Sequence, residues 1–243
     1  MACFGRYVAG GELHEDPEMQ WIITRFICAV LRTSLIAGNV DAKIDATLDH
    51  FRERCSSMAW KVSPSAQPPD LVQYLQARGF TLVYDQPVMV ADLQALNEAS
   101  MTPTNFHITV VDNQELLHTY CNVSMRGFGS DEKGIQLYYE TYLGIGFAKD
   151  VPWRHYIGWL DDVPVTVCSR LLHAGIVGIY GVATVPEARR QGLGAAMTLT
   201  PLLEAHQRGY RIATLTATDI SVGIYRRLGF RDFYTTHIYH KSW

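Results

Sequence analysis

The stretch from Ile176 to Gln207 leaves the chain little freedom of fold. Ile176 to Val185 is an apolar, glycine-containing run of strand type, which Pro186-Glu187-Ala188 interrupts. Arg189-Arg190-Gln191-Gly192-Leu193-Gly194 follows, basic and glycine-rich, and from Ala195 to Gln207 the chain uses mostly good helix formers before Gly209 stops it. A strand that passes through glycines into a helix start makes an anion site, because the first helical N–H groups lack acceptors and the helix dipole faces the incoming charge. Glycines let the backbone approach closely, and Arg189 and Arg190 add charge suited to a pyrophosphate or a ribose phosphate.

Three phosphate-binding loops share this general form. A P-loop requires Gly-Lys-Ser/Thr after the glycines, and none follows. A dinucleotide fingerprint can be laid on Gly192, Gly194 and Met197, with Asp219 as the ribose acid. Its first glycine should follow the strand directly, however, and its third position should be Gly or Ala, whereas here Pro186 to Gln191 intervene. The third form, R-x-x-G-x-G, is met in full from Arg189 to Gly194.

Elsewhere the chain alternates helix and strand signals, which predicts a mixed α/β fold. Trp21 to Leu35 reads as a strand pair, Val40 to Arg54 as a helix through Ile44, Leu48 and Phe51, Met58 to Val62 as a strand, Asp70 to Gly79 as a short helix, and Phe80 to Val90 as a strand. Periodicity fades from Ala91 to Asn105, which places a domain boundary near residue 100 and divides the chain into 1–100 and 101–243. A strand (Phe106 to Val111), two helices (Gln114 to Met125 and Ser130 to Leu143) and a hairpin from His155 to Leu172, turning at Asp161-Asp162, precede the loop. After it come a strand (Arg211 to Thr216) and a short helix (Ser221 to Leu228). Leu75-Gln-Ala-Arg-Gly79-Phe80 and Tyr225-Arg-Arg-Leu-Gly229-Phe230 share one spacing, a faint sign of duplication in which Leu75 stands where Tyr225 stands. Pro201, inside the helical run, predicts a kink and frees a carbonyl near Met197.

Charge and cysteine usage narrow the partners. A net charge of -3 offers no field to gather nucleic acid. No apolar run approaches the roughly 20 residues of a bilayer crossing and no secretory leader is visible, so a cytoplasmic protein without membrane contact is expected. Cys3, Cys28, Cys55, Cys121 and Cys168 are odd in number and widely spaced, which reads as buried thiols and not as a disulfide framework, and the histidines form no ligand pair, so no metal is predicted.

The R-x-x-G-x-G loop, followed in order by the strand, the short helix with Ile224-Tyr225, and Gly229-Phe230, resembles the GNAT acetyltransferase superfamily from residue 105 onward. More faintly, the whole chain is similar to bacterial members carrying a degenerate N-terminal lobe related to the same fold but lacking the cofactor loop. The resemblance implies acetyl-CoA as co-substrate, direct transfer to a primary amine of a small acceptor, and no metal. It places the pyrophosphate on Arg189, Arg190, Gln191, Gly192, Leu193, Gly194 and Ala195, and the pantetheine arm on the backbone of Val182, Ala183 and Thr184. Tyr225 would protonate the departing thiolate. Thr218 stands where many relatives use asparagine, and Thr keeps only one of the amide's two hydrogen-bonding functions. The family's frequent glutamate base is missing from Ile179-Tyr180-Gly181 and from Arg211 to Thr216. Glu140, His155, Asp219 and the carboxylate of Trp243 remain as unassigned proton acceptors. The rival reading is a protein of this fold that binds acyl-CoA without turnover. For the N-terminal lobe, a wall of the acceptor cleft and a homodimer contact both stay open.

Overall fold

The computed structural model describes residues 11–25, 27–99, 103–129, 132–148 and 151–243. The chain forms two compact units. The first runs to Pro87 and resumes from Tyr234 to Trp243, and the second is Val88–Phe233.

In the first unit, β1 (Glu12–Glu15), β2 (Met19–Ile23) and β3 (Cys28–Thr33) form an antiparallel meander. Helix α1 (Val40–Arg52) crosses over to β4 (Ser57–Val62), which lies parallel to β3, and α2 (Leu71–Ala77) leads into β5 (Thr81–Asp92). The helix forms where its apolar stripe predicted: Ile44, Leu48 and Phe51 are buried against Val30, Met58 and Trp60. Trp60 fills the centre and satisfies its indole N–H on the Thr33 hydroxyl at 2.9 Å.

One sequence expectation fails in this unit. Cys28 and Cys55, read as separate thiols, are joined by a disulfide. Their spacing hid it, because the α1 crossover returns the chain from the start of β3 to the entry of β4 and brings distant positions together. Cys121 and Cys168 are free and buried as expected, and Cys3 lies outside the described residues.

The second unit contains β6 (Phe106–Val110), α3 (Gln114–Phe128), α4 (Glu132–Leu143), β7 (Trp153–Leu160), β8 (Val163–His173), β9 (Ile176–Thr184), α5 (Leu193–Gln207), β10 (Ile212–Thr216), α6 (Val222–Arg227) and the first residues of β11 (Arg231–Ser242). Ser130, the expected start of α4, lies outside the described residues. β6, β7, β8 and β9 pair antiparallel in succession, and β10 is parallel to β9. Local chemistry sets the boundaries. The Asn113 side chain caps α3 by accepting the Leu116 N–H, Gly129 ends it at φ +75°, and Asp161 and Asp162 turn the β7–β8 hairpin at φ +50° and +59°. Cys168 and Ser169 point to opposite faces of β8: the thiol contacts α5 through the Met197 carbonyl, and the hydroxyl contacts α3 through Tyr120. Helix α5 contains Pro201 within its span.

The two units repeat one design. In each, a strand leads through a crossover helix to a parallel strand, then a short helix, then a final strand. The turn into that last strand is the same in both: Phe80 N–H bonds Leu75 O at 3.1 Å, and Phe230 N–H bonds Tyr225 O at 3.0 Å, around Gly79 and Gly229 at φ +83° and +102°. The final strands are exchanged. β5 passes into the second unit, where Val88–Asp92 pair antiparallel with β10, while β11 returns to the first, where His237–Ser242 pair antiparallel with β4.

Candidate active site

The site begins where two parallel strands part. β9 and β10 stay in register from Ile176↔Ile212 to Ile179↔Leu215, and there the ladder stops while β9 continues to Thr184. Gly181, at φ +58°, lies in a bulge on β9: Tyr180 pairs with Ser169 and Ala183 with Val167, so two β9 residues oppose Cys168 alone. The bulge bends β9 and leaves the β10-facing edge of Val182, Ala183 and Thr184 outside the ladder, available to an extended ligand. Gly127, near the end of α3, holds this strand end closely from one face. A Cβ on Gly127 would stand 2.8 Å from the Ala183 Cβ and 3.3 Å from the Thr184 nitrogen.

The loop beyond β9 is held by its own arginine. Pro186–Ala188 form a single 3₁₀ turn with Ala188 buried, and the Arg189 guanidinium folds back, donating to Thr184 O at 3.1 Å and Gly127 O at 2.9 Å. The sequence reading places Arg189 among the phosphate ligands; in the structure its guanidinium joins loop, strand end and α3. Arg190 adopts φ +64°, Gly192 caps α5 at φ +80°, and nothing approaches within 4 Å of where a Gly194 Cβ would sit. The N–H groups of Ala195 and Ala196 both turn to Gly192 O, so those of Leu193 and Gly194 have no acceptor inside the helix.

These elements border a cavity of about 480 Å³. Of the sequence-predicted residues, Thr184, Arg189, Arg190, Gly192, Leu193, Gly194 and Ala195 line it, while Val182, Ala183, Gln191, Thr218 and Tyr225 do not. Ile220, Ile224 and Arg227 line it from the opposite side and were missed, because only the fold brings the β10–α6 turn over the loop. The lining holds three arginines and no carboxylate.

Tyr225 lies beneath this wall. It is buried, packs edge-on against Phe230 at 5.9 Å, and has its phenol pushed up to about 12, chiefly by burial and further by nearby Cys168, against opposing hydrogen bonds with Ser221 and Thr198. The phenol is therefore protonated at neutral pH and able to donate. Thr218 is committed to starting α6: its N–H donates to Ser221 Oγ at 2.9 Å, its hydroxyl lies 3.0 Å from the same oxygen, and its carbonyl accepts the Ser221 and Val222 N–H groups.

On the other face of the sheet, the Ser169 hydroxyl links Tyr120 OH at 2.7 Å and His155 Nδ1 at 2.8 Å. The rings of Tyr120 and Tyr142 close over His155, with centroids 4.7 and 4.3 Å away. Burial holds the imidazole down at about 3, so it is neutral, and its Nε2 is buried without a partner. The remaining proton-acceptor candidates are dispersed. Glu140 and Asp219 are exposed, Glu140 accepting from Gln136 at 2.9 Å, and Trp243 is in the first unit with its indole on the Cys55 carbonyl. Among the described residues no group of three or more His, Cys, Asp or Glu is placed to hold a metal, and no helix is long and apolar enough to cross a membrane.

Comparison with known proteins matches part of the chain to a family. Residues 162–232 match the family described as "Acetyltransferase (GNAT) domain". A search of curated protein sequences returns no match. Among solved structures, a GCN5-related N-acetyltransferase from Kribbella flavida is similar at TM-score 0.73 and 19% identity, covering 95% of this chain and 89% of that one. One from Sphaerobacter thermophilus gives TM-score 0.67 at 14% identity, covering 93% and 80%. A tandem GNAT protein from the clavulanic acid biosynthesis pathway gives TM-score 0.63 at 14% identity, covering 92% and 78%. At such identities these structures establish the fold.

Proposed function

We propose that the chain, whose residues 162–232 match the GNAT acetyltransferase domain family, moves an acetyl group from acetyl-CoA directly to the primary amine of a small acceptor. The observation that carries this reading is the parting of β9 from β10 at Ile179/Leu215 beside a carboxylate-free cavity bordered by three arginines.

Each residue then has a physical task. The N–H groups of Leu193 and Gly194, with Arg190, hold the diphosphate at the positive end of α5. The open β9 edge from Val182 to Thr184 takes the amide-bearing pantetheine arm as a further strand would be taken. A backbone N–H near Ala183 or Thr184 stabilises the oxyanion as the amine attacks the thioester. Tyr225, kept protonated by burial, gives its proton to the thiolate as the C–S bond breaks, while the proton lost by the attacking nitrogen passes to water and the phenol is reprotonated from solvent before the next turnover. Arg189 acts on the reaction through the backbone it clamps. Gln191 is exposed within the loop, and Thr218 serves by shaping the turn that presents α6.

We keep the first unit in this proposal as a degenerate copy of the second. The matched turns at Gly79 and Gly229 support it, as does the likeness to a tandem GNAT protein. In the copy, buried Leu75 occupies the position of Tyr225 and so has no proton to give.

Thiol release from acetyl-CoA across an amine panel tests the function. The wild-type protein should release coenzyme A with at least one amine, and Tyr225→Phe should lower kcat by about 100-fold with cofactor affinity preserved. Unchanged release in Tyr225→Phe would remove the tyrosine from the mechanism. A wild type that binds coenzyme A calorimetrically yet releases no thiol with any amine would be a sensor of acyl-CoA. Absence of binding, unaltered by Arg189→Glu, would mark the loop as vestigial.

A further inference from the structure

The far wall of the cavity has a composition that the loop motif does not explain. Ile220, Ile224 and Arg227 follow at intervals of four and three, so they form one stripe along α6 and its approach, while Tyr225 turns inward to the core. Ile220 is 93% exposed, the most open large apolar residue described, and it lies at a basic cavity. The Arg227 guanidinium folds back along its own helix, with Nη1 3.7 Å from where a Gly223 Cβ would stand, toward Ile220 and Ile224.

The arginines here differ in what they already hold. Arg189 is occupied by Thr184 O and Gly127 O, and Arg226, next to Arg227, is paired with Asp232 at 2.5 Å. Among the described residues the guanidinium groups of Arg190 and Arg227 have no hydrogen-bond or ion-pair partner, and they face one cavity from opposite elements. Arg190 belongs to the loop that supplies the helix N–H groups. Arg227 comes from α6, on the stripe that carries Ile220 and Ile224. A ligand that uses both walls needs a phosphate at the loop, an apolar planar or ring portion over Ile220 and Ile224, and a second, separate anionic group at Arg227.

We infer that Ile220, Ile224 and Arg227 form a specificity subsite for the adenosine 3′-phosphate of the donor, so that the protein selects free coenzyme A thioesters over donors lacking that phosphate. The inference rests on the proposed function, since it assumes that the donor's diphosphate lies at Gly192–Gly194. Arg227 has a positioning and selecting role, distant from the proton transferred by Tyr225. Donors whose pantetheine arm ends in a single phosphodiester, as on a carrier protein, leave the Arg227 charge unmatched and Ile220 uncovered.

Calorimetric titration of the full chain with coenzyme A and with 3′-dephospho-coenzyme A tests this directly. Wild type should bind coenzyme A about tenfold more tightly, the scale of one charge-assisted contact at an exposed site. Arg227→Gln should abolish that preference by weakening coenzyme A about tenfold while leaving dephospho-coenzyme A within about twofold. Arg190→Gln should weaken both ligands together. Equal affinities in wild type, or equal losses for both ligands in Arg227→Gln, would overturn the subsite while leaving the proposed function intact. If neither ligand binds wild type, the proposed function fails first and this inference with it. Because Arg227 is exposed and its guanidinium has no hydrogen-bond or ion-pair partner among the described residues, the variant should keep the melting temperature of wild type, which separates a lost ligand contact from a damaged fold.

Discussion

The Cys168 thiol donates to the Met197 carbonyl at 3.0 Å, and that carbonyl is the one Pro201 leaves without its usual helical donor. A strand thiol thus substitutes for a missing backbone N–H in the helix packed on it. Burial pushes the Cys168 thiol well up, so it stays protonated and unreactive. Cys168→Ala should destabilise the protein by about 1–3 kcal/mol, through a small cavity and an orphaned buried carbonyl. In a Pro201→Ala background, where residue 201 again supplies an N–H, the same change should cost about 1 kcal/mol less. Urea denaturation of the four proteins measures the coupling, and strict additivity would show that the thiol does not substitute for the helix donor.

Acid should weaken the fold through His155. The unfolded chain takes up a proton near pH 6.5, whereas the buried imidazole refuses one until about 3. Between those values the unfolded state holds more protons, so stability falls as pH drops through the window, by up to about 5 kcal/mol. His155→Phe keeps a ring among Tyr120, Tyr142 and Ser169 but cannot titrate. Urea midpoints at pH 7.5, 6, 5 and 4 should show a shallower decline in the variant. Parallel declines would assign the acid sensitivity to the carboxylates.

Arg170 is fully buried, and its Nη1 donates to Glu204 Oε2 at 3.2 Å, the oxygen that also accepts the Tyr156 hydroxyl at 2.7 Å. Two other nitrogens of this guanidinium have no partner. Glu204 is one-third exposed, so its removal should cost about 2–3 kcal/mol, below the range for a wholly buried pair. Arg170→Met in the Glu204→Gln background should recover most of that loss. Thermal and urea melts that show no recovery would mean that packing, and not the stranded charge, sets the cost.

The Cys28–Cys55 disulfide closes a loop with a sequence separation of 27. Chain-entropy reasoning gives it about 3.5 kcal/mol. Dithiothreitol should lower the urea midpoint of wild type to that of a Cys28→Ser/Cys55→Ser variant, which should itself ignore the reductant. The bond bears on compartment as well, since cytosolic glutathione would keep the pair reduced and the protein at its lower stability. A wild type indifferent to reductant would sink the stabilising role.

The sequence was most informative where local rules act alone. The α1 stripe, the Asp161-Asp162 turn, the ends at Gly79 and Gly229, and the loop from Arg189 to Gly194 are all set by neighbours within one or two helical turns. What stayed hidden depends on contacts made at long range. The Cys28–Cys55 bond, the role of Arg189 as a clamp on Gly127 O, and the cavity wall of Ile220 and Arg227 each need the tertiary fold to bring distant segments together. Pro201 is instructive because both halves of the logic apply. A freed carbonyl near Met197 was readable, and its partner Cys168, on a different strand, was not.

The exchange of β5 and β11 bears on how the protein is made. While the ribosome is still producing the middle of the chain, β4 has no neighbour on the side where β11 will pair, and β5 has been delivered toward a strand that does not yet exist. The first half of the chain therefore emerges with an open sheet edge of the kind that recruits wrong partners. Its closure waits until β11 has been translated, and a chaperone holding β4 would shield that edge in the interval.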